Sequence, residues 1–163
     1  MVNILIISNN NSFIKNFVNN VISKISSFKI ANIASNDLEA LKAIKENSNN
    51  LDLIVLDLDI PKLDGLQLLE QIRSLKLRHC PFVFVISSKS QMIDKVIGHT
   101  LVQDFLIKSD DMSNAYNKLS EFENNLNYGK IEDELSKKVS SELIYIGYNP
   151  SHLGTQYIKE CIL

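Results

Sequence analysis

The chain has 163 residues, which is enough for one ordinary domain with a short appendage and too few for two full domains. Hydrophobic residues make up 45% of the chain, so that one sizeable core can form. The formal net charge of -2 argues against a basic, nucleic-acid-binding surface spread over the whole chain, although a local one is not excluded.

The sequence carries no sign of export or of a membrane span. No apolar stretch is long enough to cross a bilayer, and the N-terminal apolar run is too short for a signal peptide and lacks a basic flank. The two cysteines, Cys80 and Cys161, are far apart and form no Cys-x-x-Cys motif, so neither zinc nor a disulfide framework is expected. We therefore expect a cytoplasmic protein.

Apolar runs alternate with amphipathic segments along the first 126 residues. Runs rich in β-branched residues predict five buried strands, at residues 2–7, 28–34, 51–56, 82–86 and 102–107. Apolar residues at helical spacing predict a helix after each strand, at residues 13–25, 38–44, 66–72, 92–97 and 112–126. This alternation predicts an α/β fold in which helices cover both faces of a doubly wound, five-stranded parallel sheet.

The pattern changes after residue 126. Residues 127–130, which include Gly129, predict a linker. Apolar residues then return at helical spacing from Leu135 to Ile146, and Ser151 predicts the N-cap of a last short helix. We therefore expect three parts: a domain, a linker and a two-helix tail, at residues 1–127, 128–133 and 134–163.

Polar residues follow four of the predicted strands. They are Asn9 and Asn10 after the first strand, Asp57 after the third, Ser87 after the fourth and Lys108 after the fifth. Each alone has a structural explanation: the asparagines and the serine as helix caps, the aspartate as a turn residue and the lysine as a solvated strand end. Because the carboxyl ends of parallel strands meet at one edge of a sheet, however, these side chains can converge.

The converging set suits phosphoryl chemistry. A carboxylate can accept a phosphoryl group, while a hydroxyl and an ammonium group can bind the new phosphate oxygens. A divalent cation, which needs oxygen ligands, normally neutralises charge during such a transfer.

Residues 53–65, which read Leu-Ile-Val-Leu-Asp-Leu-Asp-Ile-Pro-Lys-Leu-Asp-Gly, resemble the phosphoacceptor segment of the CheY-like receiver domains of response regulators. The spacings from Asp57 to Ser87 and from Ser87 to Lys108 are also similar to that family, and the resemblance covers roughly the first 125 residues. It implies a flavodoxin-like fold with strand order 2-1-3-4-5. It also implies Asp57 as the phosphoacceptor, Ser87 as the switch hydroxyl, Lys108 as the phosphate-binding lysine and Phe105 as the aromatic switch residue.

The chain departs from the family at two positions. The family usually has two adjacent acids after the first strand, where this chain has Asn9 and Asn10, and it usually has proline after the lysine, where this chain has Ser109. The resemblance implies a Mg²⁺ site formed by Asn10, Asp57 and Asp59, with the Asp59 backbone carbonyl as one ligand. We expect weakened Mg²⁺ affinity, because an amide oxygen brings no charge, although the Asp59 side chain could restore part of it.

The tail resembles a second family. Residues 139–160, with a Gly-x-x-Pro turn, His152 and Gly154-x-x-Tyr157, are similar to the start of the effector domain of the stage-zero sporulation protein A family. The alternative is two amphipathic helices that pack on the domain or on each other. The chain ends at Leu163, before any recognition helix, so we expect either a fragment or a protein without a DNA-reading part, and no sequence-specific DNA binding by this chain.

These observations lead to one main hypothesis and two alternatives. The main hypothesis is a phosphorelay response regulator, linked to sporulation and transcription control, that is a signalling module and not an enzyme. Asp57 would be phosphorylated by a histidine kinase or a histidine phosphotransfer protein, with a homodimer allowed and no membrane partner. The alternatives are a pseudo-receiver that acts without phosphate, and a fragment of a transcription regulator whose effector domain binds DNA.

Overall fold

A computed structural model of the chain describes residues 1–60, 64–77, 79–108 and 112–145. Strands and helices alternate along these residues, with one 3-10 turn at Ile22–Lys24. The elements are β1 (Val2–Ile7), α1 (Asn11–Asn20), β2 (Phe28–Ala34), α2 (Asp37–Glu46), β3 (Leu53–Asp57), α3 (Gly65–Ser74), β4 (Phe82–Ser87), α4 (Ser90–Asp94), β5 (Val102–Ile107) and α5 (Met112–Tyr145).

The five strands form one parallel sheet in the order β2-β1-β3-β4-β5, which confirms the predicted fold class and strand order. The register brings the carboxyl ends of four strands level. Ile7 of β1 lies beside Leu56 of β3, Asp57 lies beside Ile86 of β4, and Ser87 lies beside Ile107 of β5. The residues at these strand ends therefore meet at one edge of the sheet.

The central strands are buried on both faces. All five residues of β3 are buried, as are five of the six in β4, which explains why these strands are apolar without alternation. One face packs on the apolar sides of α2 and α3 in a cluster that includes Ile54, Val85, Ile44 and Leu69. On the other face, Ile86 and Leu106 line a small cavity with residues of α1 and of the start of α5.

Two predicted helices are shorter than the apolar spacing indicated. Helix α1 ends at Asn20, and the chain continues through the 3-10 turn, although Val21 and Ile25 are buried as the pattern required. Helix α4 ends at Asp94, whereas the predicted helix continued to residue 97. Val96, just after α4, is buried as the spacing indicated, but Ile97 is 46% exposed. Helical spacing in these segments thus indicated burial only in part, and tertiary packing achieves that burial with turns.

The predicted break at residues 127–130 is wrong for the backbone, because α5 is continuous from Met112 to Tyr145. A glycine inside a helix costs only about 1 kcal/mol, and the Lys- and Glu-rich sequence that follows favours helix. The domain limits 1–127 and 134–163 stay a prediction. The chain divides into two compact units between Leu119 and Ser120.

Several predictions fall outside the described residues. They include the last helix capped by Ser151, the His152 and Tyr157 positions of the tail, and Ser109. Cys80 is free and exposed, whereas Cys161 also lies outside the described part of the chain. In the described ranges, no helix combines the length and apolarity that a bilayer span requires.

Candidate functional site

The edge where the strands end holds the buried polar side chains of the described chain. Ser8 and Asp57 are each 1% exposed and Ser87 is 0% exposed. Burying a polar group costs free energy unless it is hydrogen-bonded, so three such groups at one edge need partners there. The hydrogen bonds that these residues make with one another and with their neighbours make the burial tolerable.

Asp57 is the centre of the site. Its Oδ2 accepts hydrogen bonds from the Ser8 hydroxyl at 2.6 Å and from Lys108 Nζ at 2.8 Å. Its Oδ1 lies 2.7 Å from Lys108 Nζ and accepts a hydrogen bond from the Asp59 backbone N–H at 2.9 Å. The buried carboxylate is therefore paired with a cation and satisfied on both oxygens.

The Asp59 side chain joins the same cluster. Its Oδ1 accepts a hydrogen bond from the Ser87 hydroxyl at 2.7 Å, and its Oδ2 accepts one from the Ser88 N–H at 2.8 Å and lies 3.0 Å from Lys108 Nζ. Partial burial works to raise the pKa of Asp59. The hydrogen bonds from Ser87, Ser88 and Lys108 outweigh it and lower that pKa to about 2. Two carboxylates thus share one ammonium group.

Asn10 has a structural role on the other side of the site. Its Oδ1 accepts a hydrogen bond from the Phe13 N–H at 3.0 Å and so caps α1, while its backbone N–H donates to the Ser8 hydroxyl at 3.2 Å. Asn9 and Asn10 are both exposed. The helix-cap explanation of Asn10 is therefore confirmed, and its role as a metal ligand stays a prediction.

The oxygen donors suit a hard cation such as Mg²⁺, but only two of them carry charge. They are the carboxylates of Asp57 and Asp59, with the Asn10 amide oxygen as a neutral neighbour on the β1 side. Among the described residues, no group of three or more His, Cys, Asp or Glu side chains could hold a metal ion. The donor set thus fits Mg²⁺ chemistry, but it lacks the two charges that an acidic pair in place of Asn9 and Asn10 would supply.

Phe105 lies on β5, half-buried against the core cluster. Lys118 of α5 holds this part of the strand: its Nζ lies 4.7 Å from the centre of the Phe105 ring, donates to the Phe105 carbonyl at 2.9 Å and donates to Asp104 Oδ1 at 2.7 Å. Lys108 Nζ in turn lies 5.2 Å from the centre of the Phe13 ring. The role of Phe105 as a switch residue stays a prediction.

Two features of the site were not predicted. Ser8, directly after β1, is not among the predicted site residues, yet its hydroxyl contacts the Asp57 carboxylate directly. The Asp59 side chain was considered as a metal ligand, but it contacts Ser87, Ser88 and Lys108. The position of Ser8 directly after an apolar strand could have indicated the first contact, because that position faces the same edge as Asp57.

Comparison with known proteins identifies the family. Residues 4–120 match the model of the response regulator receiver domain. A protein-glutamate methylesterase/protein-glutamine glutaminase 1 from Methanospirillum hungatei is 32% identical over 117 residues, which cover 70% of this chain and 33% of that protein. The transcriptional regulatory protein MalR from Bacillus subtilis is 31% identical over 124 residues, which cover 75% of this chain and 50% of MalR.

Solved structures agree on the fold. The CheX-CheY-BeF3-Mg²⁺ complex from Borrelia burgdorferi contains a chain that matches with a TM-score of 0.62 at 24% identity, over 74% of this chain and 88% of that one. This chain spans a third to a half of the length of the two relatives named above. It belongs to the response regulator receiver domain family of two-component signalling systems.

Proposed function

We propose that the chain is a phosphorelay module in which Asp57 accepts a phosphoryl group from a phosphohistidine of a histidine kinase or a histidine phosphotransfer protein. The observation that carries this proposal is the buried Asp57 carboxylate at the end of β3, held by the ammonium group of Lys108 and the hydroxyl of Ser8. Such a group is oriented, charged and surrounded by donors that can bind a new phosphate.

The transfer follows from that arrangement. An Oδ atom of Asp57 attacks the phosphorus, a P–O bond forms as the P–N bond of the phosphohistidine breaks, and the electron pair leaves with the imidazole. Lys108 stabilises the negative charge that arrives with the phosphoryl group, and Ser87 can donate its hydroxyl hydrogen to a phosphoryl oxygen. Mg²⁺, when bound by Asp57, Asp59 and Asn10, would neutralise part of the phosphoryl charge.

The output of the module is a change of protein partners on the face formed by α4, β5 and the start of α5. Phosphorylation replaces the single negative charge of the Asp57 carboxylate with a phosphoryl group that carries about -1.5 to -2 charges, which draws hydroxyl and ammonium donors toward this strand end. Ser87 and Phe105 connect that strand end to the proposed face, because Ser87 ends β4 and Phe105 lies on β5. The chain is a signalling module in this proposal, in the cytoplasm, and not a turnover enzyme.

Incubation with a small-molecule phosphodonor such as acetyl phosphate, with and without Mg²⁺, tests the proposal by intact mass. We expect one phosphoryl group per chain with Mg²⁺ present, and peptide mapping that assigns it to Asp57. A chain that stays unmodified at every Mg²⁺ concentration would contradict phosphoacceptance.

The second candidate is a phosphate-independent interaction protein. The neutral Asn9 and Asn10 favour it, because they reduce the charge available for Mg²⁺. In this candidate, binding to a protein partner survives Asp57→Asn, whereas in the phosphate switch that substitution abolishes partner exchange. Affinity measurements on the two proteins, before and after treatment with the phosphodonor, separate the candidates.

A link to sporulation and transcription control is a finer proposal. It rests on the resemblance of residues 139–160 to the sporulation-regulator effector domain, and most of those residues lie outside the described structure. MalR, which is a transcriptional regulatory protein, gives the proposal limited support. DNA binding would then belong to an effector domain elsewhere in a longer protein. Expression of the gene during spore formation, and a sporulation defect on its deletion, would test the link.

A further inference from the structure

Three donors converge on the Asp59 carboxylate. They are the Ser87 hydroxyl at 2.7 Å, the Ser88 backbone N–H at 2.8 Å and the Lys108 ammonium group at 3.0 Å. Two of the three, Ser87 and Lys108, are the groups assigned above to the oxygens of a phosphoryl group on Asp57. An anion of the chain itself therefore already occupies the donors that a phosphoryl group needs.

The contacts also determine the position of the loop that follows β4. Asp59 binds the side chain of Ser87 and the backbone of Ser88, and the Ser87 hydroxyl oxygen accepts a hydrogen bond from the Lys89 N–H at 3.0 Å. The start of the loop is thus held to Asp59 without any phosphate.

We propose that the Asp59 carboxylate is an internal stand-in for the phosphoryl group: it holds Ser87, Ser88 and Lys108 in their engaged positions and competes for them with a phosphoryl group on Asp57. The proposal rests on the proposed function, because competition requires that Asp57 accept phosphate. Asp59 is a positioning residue here, since it acts through the donors.

The charges at the site indicate that Asp59 and a phosphoryl group on Asp57 compete for the same donors. Asp57 and Asp59 share the single ammonium group of Lys108, which lies within 3.0 Å of both carboxylates. A phosphoryl group on Asp57 carries about -1.5 to -2 charges in place of the single charge of the carboxylate, and this greater negative charge repels Asp59 more strongly in a partly buried site. The phosphorylated state therefore requires Asp59 to release at least part of its donor set.

Asp59→Asn tests the proposal, with Asp64→Asn as the matched control. The amide that replaces the Asp59 carboxylate would offer one acceptor oxygen and no charge, so it cannot engage all three donors. Asp64 loses the same charge but caps α3 through the Gln67 N–H, a role that asparagine also fills well, and it contacts none of the three donors. Both variants are first checked for a folded state by circular dichroism.

The first measurement needs no phosphate. Amide hydrogen exchange at Ser88, followed by NMR, should become about tenfold faster in Asp59→Asn because its acceptor is weakened, and stay within about twofold in Asp64→Asn. Unchanged exchange at Ser88 in Asp59→Asn would overturn the proposal. This result is independent of whether Asp57 accepts phosphate.

The second measurement is the rate of labelling by acetyl phosphate, with Mg²⁺ raised until the rate no longer depends on it. We expect about a tenfold increase in Asp59→Asn and no change in Asp64→Asn, because only the first substitution frees the donors and removes the repulsion. A rate in Asp59→Asn equal to or below that of the unsubstituted chain would overturn the competition. Absence of labelling in all three proteins would instead contradict the proposed function, while the exchange result would still decide whether Asp59 holds the loop.

Discussion

Aspartates flank the central strand β3 at both ends, and their environments differ. Asp52, just before the strand, accepts a hydrogen bond from the Asn3 N–H at 2.8 Å and lies 3.5 Å from His79 Nε2, with its side chain 23% exposed. Asp57, at the other end, is 1% exposed and paired with Lys108. A carboxylate in contact with water needs no cation, whereas a buried one does. The same residue type is therefore in partial contact with water at one edge of the sheet, and is a buried, cation-paired group at the other.

The largest expected effect is on phosphorylation, which should depend on Asp57 and not on Asp52. Asp57→Asn should abolish labelling by acetyl phosphate, because an amide oxygen is a poor nucleophile for phosphorus. Asp52→Asn should leave labelling unchanged, since Asp52 lies at the opposite end of β3. Intact mass spectrometry measures both. Labelling that persisted in Asp57→Asn would show that the acceptor is another residue.

The next effect is the loss of stability when an ion pair is broken. It should be larger for a buried pair than for a more exposed one. Lys108→Met keeps the aliphatic stem but leaves the buried Asp57 without its cation, and it should reduce the free energy of unfolding by roughly 3 kcal/mol. Lys118→Met removes a pair with Asp104 of the same 2.7 Å length, whose side chains are 27% and 34% exposed, and should cost less than about 1 kcal/mol. Urea denaturation provides both values. Equal losses of unfolding free energy in the two variants would mean that burial does not increase the contribution of the Asp57–Lys108 pair to stability.

A third effect concerns the neutral side of the site. Asn9→Asp together with Asn10→Asp should increase Mg²⁺ affinity about tenfold or more, because carboxylates are preferred ligands of this cation. Aspartate also caps helices as well as asparagine does, so α1 should persist. Asn36→Asp, which caps α2 away from the site, is the control for added charge. If isothermal titration gave equal Mg²⁺ affinity for the double variant and the unsubstituted chain, the neutral charge of Asn9 and Asn10 would not be what weakens Mg²⁺ binding.

The smallest effect concerns Ser8, which contacts Asp57. Ser8→Ala removes the 2.6 Å hydrogen bond to Asp57 from a buried site and should destabilise the fold by about 1–2 kcal/mol. Ser27→Ala is the matched control, because the Ser27 hydroxyl oxygen is buried and has no hydrogen-bond partner in the described part of the chain. It should be neutral or slightly stabilising. Thermal unfolding of the two variants in parallel checks this, and a Ser8→Ala protein as stable as Ser27→Ala would contradict it.

Much of the fold could be predicted because strands that are buried on both faces of a parallel sheet are continuous apolar runs in the sequence. The predicted limits of β1, β2 and β5 agree with the structure to the residue. Helix limits were less predictable at Asn20 and at residues 127–130. In the first case apolar residues stay buried after the helix ends, and in the second a glycine is too weak a helix breaker to interrupt α5.

By itself, the sequence determined which strands end in polar residues and hence that Asn9, Asn10, Asp57, Ser87 and Lys108 gather at one edge. That follows from the parallel sheet, in which every strand runs in the same direction and ends on the same side. Only the tertiary structure decided how the charges pair within the gathered set. Asp57 and Asp59 are two residues apart, and sequence spacing could not show that both share Lys108 or that Asp59 binds the loop after β4. Those contacts depend on distances of a few ångströms between side chains from different strands, which register, burial and loop geometry determine together.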